Sequence, residues 1–155
     1  MITPGDLVQA ICNRLRLVFP GDAALYESLT PVNFLRPSNL VDCEGVTARQ
    51  IGGDGVEFTF SIKITSFAKV DERHQTHLPL LYARMMAIFG IFMSGYLTVG
   101  DRAPKCAGVT GDVGWDFAEV CVSVQVILSR SEFLPTETLP LLERLTIKLE
   151  EALEK

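Results

Sequence analysis

Histidine is scarce in this chain of 155 residues, and the common catalytic motifs are missing from its sequence. The two histidines, His74 and His77, lie close together, so a serine or cysteine elsewhere has no separate histidine base. No Gly-x-Ser-x-Gly motif presents a nucleophilic serine, and no glycine-rich loop ends in Lys-Ser or Lys-Thr to bind phosphate. We therefore predict that the chain is not an enzyme.

The cysteine pattern gives no metal or disulfide framework. None of Cys12, Cys43, Cys106 and Cys121 belongs to a C-x-x-C pair, which is the spacing typical of zinc sites. The pattern therefore predicts small, reduced thiols that are buried or half-buried. Glu44 follows Cys43, and a negative neighbour raises a thiol pKa rather than activating it, so a cysteine nucleophile is disfavoured there.

Long hydrophobic runs are also missing. The most apolar stretch, residues 85–93, is shorter than the roughly 20 residues that a membrane-spanning helix needs. The N-terminus shows an amphipathic pattern rather than a signal-peptide core. A net charge of -5 makes the surface a poor match for nucleic acid or anionic membranes. We predict a cytoplasmic protein with no membrane partner and no sequence-specific nucleic-acid partner.

The element pattern predicts one α+β domain over residues 1–155, with a mostly antiparallel sheet and helices packed on one of its faces. Thr3 as N-cap and Pro4 as first residue begin a helix that Phe19-Pro20-Gly21 ends. Strict alternation over residues 56–67 marks the clearest strand. A second helix is expected over residues 71–93, with its true start at 76–78 and with cover on more than one side. The other expected elements are strands at 24–29, 32–42, 46–51, 96–99 and 114–128 (with a bulge between Phe117 and Val120), a loop or irregular β arm at 101–113, and a helix at 139–153.

The remaining chemical candidates are weaker than their structural explanations. His74 and His77 share a helix face at i, i+3 spacing and could hold a metal, but their surroundings are typical of a solvated helix start. The glycines of residues 52–55 precede a strand, which favours a hairpin turn over a phosphate loop. Four carboxylates, Asp101, Asp112, Asp116 and Glu119, lie close along the chain without a further sign of acid–base chemistry. We predict no metal, no cofactor and no catalytic residue.

Candidate contact residues lie at strand ends and in the glycine-punctuated stretch 101–114. Arginine is over-represented at protein interfaces, and Arg36 and Arg102 stand near strand ends. A loop that becomes ordered on assembly would present Arg102 and Lys105 as charged contacts, with Asp101 and Asp112 beside them. An ordinary surface loop explains the same pattern equally well.

The order of these elements resembles that of the tail-terminator, or tail-completion, proteins of long-tailed phages and prophages. The resemblance covers residues 6–130 and depends on short segments at matching places along the chain. These are Phe19-Pro20, Leu25-Tyr26-Glu27, the Pro-containing stretch 33–37, the strand 58–67, Ile88-Phe89, residues 96–99, and Trp115-Asp116-Phe117. A closing helix from Leu139 departs from the family pattern.

The resemblance implies a structural role. Proteins of that family form a ring, often a hexamer, which caps the finished tail tube and meets the head connector. It therefore implies three partners: other copies of this chain, a tail tube protein and a head–tail connector protein. It also implies a location in the bacterial cytoplasm and then in a virion or tail-like particle, with no cofactor. The ring would close through head-to-tail contacts between unlike surfaces.

Two other functions stay open from the sequence. One is a small homo-oligomeric ligand-binding or regulatory domain, which would use a pocket between the sheet and the helix of residues 78–92. The other is a hydrolase or transferase whose dispersed catalytic residues a single sequence does not reveal.

Overall fold

The computed structural model describes residues 1–133. The elements in chain order are α1 (Pro4–Val18), β1 (Ala24–Glu27), β2 (Ser38–Ile51), β3 (Gly55–Phe67), α2 (Leu78–Phe92), β4 (Lys105–Val113), β5 (Ala118–Ser129) and a 3-10 turn at Arg130–Glu132. The predicted α+β class is confirmed. The helix expected over residues 139–153 lies outside the described residues, and the single-domain organisation stays a prediction.

A sheet of five strands has the order β1-β2-β3-β5-β4. The short β1 pairs with β2 in parallel, and every other neighbouring pair is antiparallel. The β2–β3 hairpin turns at residues 52–54, where Gly52 has a positive φ of 71°, as the glycine-rich turn predicted. Because β5 returns between β3 and β4, the strands β1 and β4 form the two edges of the sheet.

Both helices pack on one face of the sheet, as predicted. Val41, Ile64 and Val120 are cross-strand partners on that inner face, and all are fully buried. In the same row lies Gly111, where an added Cβ would stand 2.5 Å from Cε2 of Phe89. Glycine therefore lets α2 approach the edge strand closely. The outer face of the sheet carries mostly polar side chains, as the alternation over residues 56–67 indicates.

The first helix begins at a complete capping box. The Thr3 backbone N–H donates to the Asp6 carboxylate at 2.8 Å, and the Asp6 backbone N–H donates to the Thr3 hydroxyl at 3.2 Å. These reciprocal bonds satisfy donors that a helix start leaves unpaired. They also lower the pKa of the Asp6 carboxyl, since the ionised form accepts both a side-chain and a backbone hydrogen bond from Thr3.

Several predicted boundaries are wrong, each for a local reason. No strand starts at residue 32: turns occupy the approach to a cis Arg36–Pro37 bond, and β2 begins at Ser38. The second helix, by contrast, starts at Leu78, within the predicted range of 76–78, because the Asp71 carboxylate closes a turn by accepting the backbone N–H groups of Arg73 and Gln75. Residues 96–99 form only isolated bridges, and β5 starts at Ala118 without the expected bulge.

Register shifts occur instead in β2, between Cys43 and Gly45, and in β4, between Cys106 and Gly108. The stretch expected to be a loop or β arm therefore holds a strand, β4, which pairs with β5 along the edge of the sheet. Within residues 1–133, neither helix is long and apolar enough to cross a membrane.

Candidate functional site

Arg36, a predicted interface residue, lies at the centre of a partly buried cluster. Its guanidinium donates two hydrogen bonds to Asp116, at 3.1 and 2.7 Å, and its side chain is 17% exposed. The rings of Phe34 and Phe67 lie 5.0 and 5.2 Å from its central carbon, close enough for cation–π attraction. The Thr76 hydroxyl donates to the same Asp116 carboxylate at 3.0 Å.

This cluster joins segments that are distant in sequence. Arg36 comes from the β1–β2 connection, Asp116 from the β4–β5 turn, and Thr76 from the residues before α2. We define these residues, with Phe34 and Phe67, as the Arg36 cluster. Charge-assisted bidentate pairs hold a fixed geometry, so the cluster fixes the relative positions of three loops at one end of the sheet. A role for Arg36 in contacting another protein stays a prediction.

The other predicted contact residues lie apart from that cluster. Arg102 pairs with Glu132 at 2.6 Å and links the loop before β4 to the 3-10 turn after β5. Asp101 and Lys105 are exposed near the same place, at the start of β4. Asp112 is exposed near the other end of β4, directly opposite Glu119. The structure therefore brings Asp101, Arg102 and Lys105 together but places Arg36 and Asp112 elsewhere.

A groove of about 520 Å³ adjoins Arg102 and Lys105. Glu57, Gln125 and Ile127 of the outer sheet face also line it. Its volume falls within the range of small-molecule sites. Core side chains, among them Ile88 and Phe92, pack between the sheet and α2, and a groove of about 270 Å³ lies beside Leu80 and Ala83 of the helix.

The acidic outer face of the sheet has one lysine near its centre. Lys63 lies 3.3 Å from Glu44 and 3.4 Å from Glu119, on the strands flanking β3. The hydrogen bond that Lys63 donates to Glu44, followed by the charge of Glu119, raises the pKa of the Lys63 amine. Asp42 is the cross-strand partner of Lys63 on this face. Carboxylates therefore outnumber the lysine here, and the face is poorly suited to binding phosphate.

The cysteines and histidines give no reactive constellation in the part of the chain that is described. All four cysteines are free thiols. Burial, followed by the negative charge of Glu27, raises the pKa of Cys12 to about 11, and burial also raises the pKa of Cys43. His77 lies 3.5 Å from the Asp71 carboxylate. Residues 1–133 hold no group of three or more His, Cys, Asp or Glu side chains placed to bind a metal ion.

A buried arginine, Arg84, was missed by the sequence reasoning. Its guanidinium donates to the two carboxylate oxygens of Asp22 at 2.9 and 2.6 Å and to the Ser66 hydroxyl at 2.7 Å. The ring of Phe19 lies 4.2 Å from its central carbon. Both partners of the ion pair are partly buried, with side chains that are 12% and 11% exposed. The signal was present in the sequence, since Arg84 is the one charged residue of α2.

The side of α2 that faces away from the sheet is apolar and exposed. Leu81, Ile88 and Phe92 face the core, and Arg84 is paired inward. Four large side chains on or beside the helix remain at least about half exposed, and we define them as the α2 outer face. They are Leu78 at 49%, Tyr82 at 51%, Met86 at 62% and Met93 at 65%.

A second exposed apolar surface flanks the Arg36 cluster. Leu29, Val32 and Leu35 of the β1–β2 connection are 82%, 98% and 57% exposed, and Trp115 of the β4–β5 turn is 88% exposed. We define these four residues as the loop patch. The patch is built on fixed positions, because Leu35 donates its backbone N–H to the Tyr26 hydroxyl at 2.9 Å and Asp116, next to Trp115, pairs with Arg36.

Comparison with known proteins does not assign this chain, since no protein-family model and no curated protein matches its sequence.

Proposed function

We propose that this chain is a structural assembly subunit of a phage tail or tail-like particle, a tail-terminator-like protein. In this role, copies of the chain form a ring that caps the tail tube and joins it to the head connector. The proposal excludes catalysis by the chain and places it in the bacterial cytoplasm and then in the particle.

The observation that carries the proposal is the composition and exposure of α2. A helix that is hydrophobic on all sides is normally buried on all sides. The fifteen residues of α2 contain one charged side chain, Arg84, which points inward to Asp22. Nevertheless, Tyr82 and Met86 stay exposed on the opposite side. Another protein surface would cover this side, as happens when a subunit enters an assembly.

Two further features support assembly. The edge strand β4 lies on the rim of the sheet, where its outer backbone groups can pair with another chain. Four large apolar side chains are exposed in the loop patch, whereas monomeric proteins rarely expose contiguous apolar patches of more than a few hundred Å². A chain that exposes both the α2 outer face and the loop patch fits an assembly in which each subunit contacts two neighbours.

The assignment to a tail is supported by the order of elements. The helix, the short strand, the Pro-containing connection, the long strand over residues 58–67, the second helix and the strand after residues 115–117 occur in the order that the family resemblance implies. The acidic outer face around Lys63 would also suit a channel through which DNA passes, since carboxylates repel phosphates.

Mass measurement and imaging test the ring. Size-exclusion chromatography with light scattering from about 1 to 200 µM, followed by negative-stain imaging of the heaviest peak, should show closed rings of one size. The tail assignment is tested separately by adding the protein to growing tail tubes of the particle encoded beside it. Capped tubes of fixed length support the assignment, and tubes that continue to elongate contradict it.

The groove beside Arg102 favours the second candidate function, a homo-oligomeric ligand-binding domain. Its volume of about 520 Å³ and its two basic side chains, Arg102 and Lys105, would suit a small anionic metabolite. A ligand that binds only the native state raises the melting temperature by mass action. Anionic metabolites can be screened for one that raises the melting temperature of wild type but not of Lys105→Ala. Such a metabolite would favour the ligand-binding function over the tail-assembly function.

A further inference from the structure

We propose that the α2 outer face of one subunit docks on the loop patch of a second copy of this chain, so that self-association is head to tail. The inference rests on the proposed assembly function and names the surfaces that carry it. Its residues are Leu78, Tyr82, Met86 and Met93 on one side, and Leu29, Val32, Leu35 and Trp115 on the other.

The size of the two surfaces fits a protein partner. From their exposed fractions, the side chains of the α2 outer face present roughly 450 Å² and those of the loop patch roughly 600 Å², against about 800 Å² per partner in a standard interface. Polar neighbours at the rim supply the remainder in such interfaces. Each surface is therefore large enough to be the apolar centre of a stable contact.

The chemistry of the two surfaces is mutually compatible. Neither set of four side chains contains a charge, so docking leaves none of these eight groups as an unpaired buried ion. The loop patch offers a large aromatic ring, Trp115, and the α2 outer face offers Met86 and Met93, whose unbranched side chains adapt to an aromatic partner. Tyrosine and tryptophan are also the residues most enriched at the energetic centres of interfaces.

The loop patch is held ready for docking. Its two segments are joined by the Arg36–Asp116 pair, and the packing of Phe34 on Phe67, whose ring centroids lie 4.5 Å apart, holds the first segment to the end of β3. A surface that is already ordered loses little conformational entropy on binding.

A head-to-tail contact accounts for both surfaces at once. A two-fold contact that pairs one surface only with its own copy would leave the other surface exposed, whereas a contact between the unlike surfaces covers both. When unlike surfaces meet, each subunit uses one of them for each neighbour, and the chain of contacts closes into a ring if the rotation permits. A second copy therefore covers both apolar surfaces.

Two single substitutions test the pairing in the full chain. We expect Met86→Asp and Trp115→Asp each to weaken self-association at least 100-fold, as measured by light scattering over the concentration range. The controls are Leu17→Asp on α1 and Ile127→Asp on the outer sheet face, at positions that are 76% and 59% exposed and belong to neither surface. Both controls should associate as wild type does.

Mixing the two variants is the decisive step. Met86→Asp keeps an intact loop patch and Trp115→Asp keeps an intact α2 outer face, so an equimolar mixture should form heterodimers and stop at two chains. A Trp115→Asp chain that assembles like wild type would overturn the pairing and indicate a two-fold contact through α2. A Met86→Asp chain that assembles fully but melts at lower temperature would assign the α2 outer face to another segment of the same chain.

The outcomes separate this inference from the proposed function. If wild type forms rings and both variants form the same rings, the pairing is wrong and the ring-forming function stands. If wild type stays monomeric at every concentration, self-association through these surfaces is overturned, whereas the tube-capping experiment still decides the tail assignment.

Discussion

The Arg36–Asp116 ion pair should contribute far more to stability than the Arg49–Glu57 pair of the same chain. The two pairs have similar N···O distances, 2.7 and 2.9 Å, but different surroundings. The Arg36 side chain is 17% exposed and the Arg49 side chain 73%. Solvent screens exposed pairs strongly, so distance alone does not predict their strength.

The magnitude follows from the contacts that each substitution removes. Arg36→Ala removes the bidentate pair and two cation–π contacts, and we expect it to lower the free energy of unfolding by about 3–4 kcal/mol. Asp116→Ala leaves the guanidinium without its carboxylate and should cost about 2–3 kcal/mol. After Arg36 has been removed, the same substitution should cost only about 1 kcal/mol, which corresponds to the loss of the Thr76 hydrogen bond.

Double-mutant cycles measure the difference directly. Urea unfolding followed by far-UV circular dichroism, at a concentration where the chains are monomeric, gives the free energy for each variant. We expect a coupling energy of about 2 kcal/mol for Arg36 with Asp116 and about 0.5 kcal/mol or less for Arg49 with Glu57. Equal coupling energies in the two cycles would refute the argument that burial of the Arg36 cluster fixes the three loops.

Three further predictions concern the core, a thiol and a helix start. Gly111→Ala should lower the free energy of unfolding by about 1–3 kcal/mol, because its Cβ would lie 2.5 Å from Cε2 of Phe89. Gly108→Ala on the same strand is the control, since its Cβ meets nothing within 4 Å, and thermal unfolding of both variants measures the difference. Folding raises the pKa of the Cys12 thiol from 9.0 to about 11, so the stability that its neutral form contributes is present below pH 9 and is lost as pH rises towards 11. Wild type should therefore lose more free energy of unfolding between pH 9 and pH 11 than Cys12→Ala does. Asp6→Asn should lower the melting temperature at pH 7 but not at pH 2. The carboxyl pKa of Asp6 is lower in the folded chain than its ordinary value of 3.8, so the ionised carboxylate stabilises the fold above pH 3.8, and this stabilisation disappears as the pH falls through the folded-state pKa.

Elements with strong local signals were predictable from the sequence. The capping box of Thr3 and Asp6 and the helix stop at Pro20 locate α1 within the chain, since each signal acts within a few residues. Alternation over residues 56–67 locates β3 and identifies its inner face. The fold class follows from these elements, because grouped strands with few helices favour an antiparallel sheet.

The edge strand β4 was harder to predict because tertiary contacts, not local sequence signals, determine it. Gly108 and Gly111 indicate a loop when read locally. In the structure, Gly111 is required because Phe89 and Met85 of α2 occupy the space of its side chain. No local pattern contains that information, since the contact joins residues about twenty positions apart.

The candidate site shows the same division between local and distant information. Arg36 was predicted as an interface residue, yet its ion-pair partner, Asp116, lies 80 positions along the chain and was grouped with Asp101, Asp112 and Glu119. Arg84 was overlooked, although a single charge in an apolar helix indicates a buried partner. A sequence alone identifies residues of buried ion pairs only when the two partners lie close together along the chain.

The exposed side of α2 follows partly from local sequence and partly from tertiary packing. The sequence predicted cover on more than one side of this helix, and the core of the described chain covers only the side that carries Leu81, Ile88 and Phe92. An exposed tyrosine or methionine alone requires no explanation. A helix whose single charge is turned inward is different, since its outer side carries no charged side chain to keep it in water. The composition of α2 is therefore typical of a helix that another surface covers, and our proposal is that the loop patch of a second copy supplies that surface.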